Sequence, residues 1–185
     1  MRKILDRLYA VALWLSAICL AAIALLVGLQ LAGRIIDGAL ALVGMAPEGI
    51  IILSLAEIAG YLLGAASFFA LAGTLKSGAH IRVTMVLAAL SARTRRWVEI
   101  WALSASAVFS AYATWNFASF TYYSWLFNEV SSGLIPVPLA IPQAAMTAGI
   151  LILTIALLDE LMIVWRGGHP TFRTAEDALT LGKEG

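Results

Sequence analysis

Four apolar stretches, each long enough to cross a lipid bilayer, dominate this chain of 185 residues. A bilayer core needs roughly 20 consecutive apolar residues per helix, because each residue advances the helix by about 1.5 Å. The stretches lie at about 8–31, 50–75, 97–126 and 139–165. Backbone groups in lipid must find their hydrogen-bond partners within their own segment, so each stretch is predicted to be a helix. With 62% hydrophobic and 12% charged residues, the chain departs from the roughly 45–50% and about 25% of a soluble domain. A soluble fold of this length has too much surface for its volume to hide that excess. The predicted fold class is therefore all-α: an integral membrane protein with four transmembrane helices, forming a single membrane domain over 1–185.

The basic residues set the predicted orientation, since loops rich in Lys and Arg stay in the cytoplasm. Arg2, Lys3 and Arg7 precede the first stretch, and Lys76, Arg82, Arg93, Arg95 and Arg96 lie between the second and third. Arg166, Arg173 and Lys183 follow the fourth, in a polar C-terminal tail at 166–185, which leaves Arg34 alone on the other side. Both termini and the middle loop are thus predicted to be cytoplasmic. Although basic residues lead into it, the first stretch exceeds the roughly 7–15 apolar residues of a signal-peptide core, and it reads as a retained span. Between the second and third spans, 80–96 combines an apolar patch with basic ends. That pattern suits a short amphipathic helix lying in the membrane interface. The segment 33–49, with Ile35, Ile36, Leu40, Leu42 and Val43, reads as a similar interfacial or helix-extending piece on the far side.

Few side chains are candidates for chemistry. Glu57 is the one charge within the second stretch, and a carboxylate at membrane depth is costly, by about 2.5–3.5 kcal/mol for an Asp at a helix centre. It reads as an ion or proton ligand, or as a carboxylate paired with Arg34 or a polar group of a partner subunit. The second of these is favoured, because no other buried charge lies at comparable depth. Asp159 and Glu160, near the end of the fourth stretch, read as partners for basic residues of the middle loop or N-terminal tail rather than as a proton relay. Gly60 and Gly64 form a small-xxx-small step that lets another helix approach closely. Trp97, Trp125 and Trp165 sit at the predicted boundaries, as an aromatic belt requires.

What the residues exclude is as informative. His80 and His169 both lie outside the spans, so facing helices cannot hold a haem between histidines. Inward carboxylate and histidine ligands for a zinc or di-iron bundle are missing. Cys19 is the only cysteine, and no phosphate-binding glycine loop occurs. No cofactor and no enzymatic activity are predicted. A net charge of +1 gives no reason to expect a nucleic acid partner.

Three local patterns occur together. Glu57 is followed by Leu-Gly-Ala-Ala at 63–66, and the second span ends in Lys-Ser-Gly-Ala-His-Ile-Arg-Val at 76–83, which contains His80 and Arg82. The last span is introduced by Ser-Ser-Gly-Leu-Ile-Pro-Val-Pro-Leu-Ala-Ile-Pro-Gln at 131–143. With four spans, this arrangement resembles the small membrane subunit (DctQ type) of the tripartite ATP-independent periplasmic (TRAP) transporters. The pattern departs from the family's where Ala56 precedes Glu57, in place of an acidic pair, and where Thr84 follows Val83, in place of an Asp. The resemblance implies a multi-pass protein of a bacterial inner membrane that braces a large membrane transport subunit during sodium-driven uptake of an organic acid. A periplasmic substrate-binding protein delivers the acid, and the far-side loops 33–49 and 127–138 are candidates for its docking. Alternatives are the small subunit of a tricarboxylate-type tripartite transporter, which fits 78–83 less well, and a small membrane enzyme or electron-transfer subunit. Candidate partner-contact or structural residues are Glu57, Gly60, Gly64, His80, Arg82, Asp159 and Glu160.

Overall fold

The computed structural model describes residues 2–47, 49, 51–77, 91–168 and 170–171. Among them the chain forms four helices: α1 (Arg2–Leu42), α2 (Leu55–Lys76), α3 (Ala92–Leu126) and α4 (Ala140–Trp165). Three of these, α1, α2 and α4, are long and apolar enough to cross a membrane. α3 is the exception, because Ser, Thr, Tyr and Asn dilute its apolar residues.

Several boundaries differ from the sequence reading: α1 already starts at Arg2 rather than about 8, and α2 starts at Leu55 rather than about 50. α1 does not stop near residue 31 but runs unbroken to Leu42, so the far-side segment extends the helix. No proline lies between Leu31 and Leu42, and Gly44 at φ 75° ends the helix. α3 starts at Ala92, where the Ser91 hydroxyl caps it by accepting a hydrogen bond from Thr94 N–H at 3.4 Å. Residues 91–96 thus belong to the start of α3. The rest of the proposed interfacial helix, with His80 and Arg82, lies outside the described residues, as does His169.

Helix packing places α2 and α4 side by side at the centre, with α1 against α2 and α3 against α4. Two ends follow. A basic end holds Lys3, Arg7, Lys76, Arg95, Arg96 and Arg166; a loop end holds Ser54 and the 127–139 connection. Buried side chains from all four helices meet towards the basic end, among them Tyr9, Leu75, Leu103, Leu157 and Val164.

Small residues set the spacing. At Gly149 an added Cβ would lie 2.6 Å from the Phe68 carbonyl carbon and 2.8 Å from its oxygen, so only glycine lets the α2 and α4 backbones come this close. Gly64 faces Met146, whose sulfur would be 3.3 Å from a Cβ, whereas Gly60 has open space beside it. The predicted glycine step is therefore split: Gly64 serves packing within the chain, and Gly60 stays uncovered.

Hydroxyls tie neighbouring helices where lipid offers no polar partner. Ser16 donates to the Ala66 carbonyl at 2.8 Å, across α1 and α2. Across α3 and α4, Thr154 meets Ser110 at 2.8 Å and Thr114 at 3.0 Å, and Thr121 meets Thr147 at 3.0 Å.

Candidate functional site

The described charges gather at the helix ends, and the two polar clusters that result are the candidate sites. At the loop end, Ser54 takes a left-handed conformation (φ 55°) that turns the chain into α2. Its hydroxyl oxygen accepts a hydrogen bond from Ile135 N–H at 3.1 Å. Glu57 follows in the first turn of α2, where the helix dipole favours a carboxylate. Tyr61, one turn on, donates its hydroxyl to Glu57 Oε1 at 2.8 Å. The other carboxylate oxygen, Oε2, is buried without a hydrogen-bond partner. It rests against Gly133, where a side chain would collide with it.

The connection from α3 to α4 is itself ordered, which is why it can form a lid over Glu57. Ser124 donates to Glu129 at 2.7 Å, Ser131 N–H to the Val137 carbonyl at 2.9 Å, and Leu139 N–H to the Glu129 carbonyl at 3.0 Å. Asn128 at φ 51° makes the reversal. Gln143, in the first turn of α4, is buried as well, and its side-chain oxygen has no partner. The sequence marked Glu57 and the 131–143 segment separately; the structure brings them together. Arg34 is elsewhere, on the part of α1 that lies beyond α2.

At the basic end, Glu160 is completely buried (0% exposed). Both its oxygens accept from Thr171, one from the backbone N–H at 2.9 Å and the other from the hydroxyl. The segment after α4 is thereby folded back onto the helix. Lys76 pairs with Asp6 at 2.6 Å and stands 4.5 Å above the Tyr9 ring. The Tyr9 hydroxyl and Asp159 Oδ2 are buried without hydrogen-bond partners. Arg96 donates to the Trp165 carbonyl at 3.0 Å, closing the C-terminal end of α4. Tyr9, Gly133, Gly149 and Thr171 carry these arrangements, and sequence reasoning missed all four. An aromatic or a glycine in an apolar run or a loop has no local signal of the partner it will meet.

Chemically, both clusters are suited to joining elements. Carboxylates that accept from a tyrosine or a threonine within the same chain hold a loop and a tail in place. Among the described residues no group of three or more His, Cys, Asp or Glu side chains is arranged to hold a metal ion.

Residues 48–167 match the family model described as "Tripartite ATP-independent periplasmic transporters, DctQ component". The match takes in α2, α3, α4 and both polar clusters apart from Asp6, Tyr9 and Thr171, and leaves α1 outside. No curated protein matches the chain.

Proposed function

Since the chain belongs to the DctQ component family of the tripartite ATP-independent periplasmic transporters, and so is a small membrane subunit of such a transporter, we propose that it acts as a non-catalytic brace. It holds the large membrane subunit while that subunit carries an organic acid inward with sodium, after delivery by a periplasmic binding protein. The basic end is cytoplasmic, by the rule that Lys- and Arg-rich segments are not translocated. α3 is the fourth span, with the hydroxyls of Ser110, Thr114 and Thr121 bonded to α4 or back to α3 carbonyls.

The observation that carries this reading is where the charges fall. Every described Asp, Glu, Lys and Arg is near a helix end, in a loop, or on the part of α1 beyond α2. An ion or proton pathway needs ionisable or carbonyl groups spaced through the bilayer, and a brace does not. Deleting the gene while keeping the large subunit and binding protein should abolish uptake, and the chain should co-purify with the large subunit. Undiminished uptake by the large subunit alone would refute the brace.

A further inference from the structure

α1 is longer than its neighbours require, and the surplus lies on one side. Asp6 with Lys76, Ser16 with Ala66 and Gln30 with Ile52 fix a constant antiparallel register between α1 and the chain leading through α2. On that register Ser54, just before α2, is level with Gly28. α4 begins at nearly the same level, because Gly64 faces Met146 and Phe68 faces Gly149. α3 ends there too, since Thr121 faces Thr147. Three helices stop at one plane and α1 passes through it. From Gly28 to Leu42 the excess is 14 residues, or about 20 Å at 1.5 Å per residue.

The returning chain lies along this projection, with Gly49 N–H donating to Asp37 at 3.2 Å and Ile52 N–H to Gln30 at 2.7 Å. The resulting finger is apolar. Ile35, Ile36, Leu42, Val43, Met45 and Ile51 are all exposed, with Leu42 at 91%. Arg34 and Asp37 are its only charges among the described residues.

Lipid does not suit it. The headgroup layer adds only about 6 Å on each side of the hydrocarbon, far less than the projection. Sinking the finger by tilting the protein would drag the exposed Asn128 and Glu129 into hydrocarbon. Water does not suit it either, because contiguous exposed apolar surface of this kind marks a contact site. A soluble protein that comes and goes is also a poor match, since permanent interfaces are the more hydrophobic ones.

We infer that the finger, made of the described residues 29–47, 49 and 51–53, is a permanent contact with the outward-facing surface of the large membrane subunit, not a docking surface for the soluble binding protein. This rests on the brace reading and its orientation.

The test places single cysteines in a Cys19→Ser background at Ile36→Cys and Leu42→Cys, with Leu134→Cys on the exposed 127–139 connection as the reference. A membrane-impermeant maleimide is applied from the periplasmic side to the chain alone, to its complex with the large subunit, and to that complex plus binding protein. The expected result is labelling of both finger sites in the chain alone and its loss in the complex, with Leu134→Cys labelled in the chain alone and in the complex. Unchanged labelling in the complex overturns the inference. So does protection in the chain alone, which would mean lipid cover, or protection only when binding protein is added. If no complex with the large subunit can be isolated, the brace reading itself fails, which is a separate outcome.

Discussion

Glu57, in the first turn of α2, is held at one oxygen and covered at the other by its own chain. Tyr61 satisfies one oxygen, and Gly133 lets the 127–139 connection close over the other. Replacing Gly133 by Ala forces the carboxylate aside, because the new Cβ takes the place of Oε2. The Tyr61 hydrogen bond is then lost, at about 0.5–1.5 kcal/mol. The loss should vanish in a Glu57→Ala background, where nothing remains to collide. A double-mutant cycle by thermal unfolding in detergent measures this coupling; additive effects would mean that Gly133 and Glu57 do not meet.

At the scale of elements, the α2–α4 seam is the structural centre, and Gly149 is its narrowest point. Overpacking a close-packed site costs about 1–3 kcal/mol, and the atoms facing Gly149 are the Phe68 carbonyl group and Cβ, which no side-chain rotation moves away. Gly149→Ala is therefore expected to destabilise the chain in that range, while Gly60→Ala, with open space beside it, should leave stability unchanged. Unfolding both variants in the same detergent compares them directly. The α3–α4 edge works differently. It relies on shared hydroxyls, which average about 0.6 kcal/mol each in membrane helices, and a helix held in this way can tolerate more polar residues than one facing lipid alone.

For the whole molecule, a brace and an ion carrier make opposite demands on Glu57. If the chain only supports the large subunit, Glu57→Gln weakens assembly modestly, because the amide can still accept from Tyr61, and the number of sodium ions moved per substrate stays as it was. Reconstituted uptake measured against the sodium gradient gives that number. A changed stoichiometry would move Glu57 from the scaffold into the transport pathway.

How much of this was legible beforehand depends on how local the cause is. The helix predicted at 139–165 was readable almost to the residue and that at 50–75 to within five, since apolar length and Pro placement act along a single segment. Asp159, Glu160 and Glu57 could be picked out as conspicuous, because a charge near lipid is costly wherever it falls. Their partners could not. Thr171, Tyr61 and Gly133 are ordinary residues until the packing of helices decides which of them a carboxylate meets. The same holds for the finger. Composition alone makes 33–49 an apolar segment, but only the register of α1 on α2 shows that it stands beyond the ends of three other helices. Apolar content is a property of one stretch of chain, whereas a level is a relation between two, and side-chain contacts across the seam are what set it.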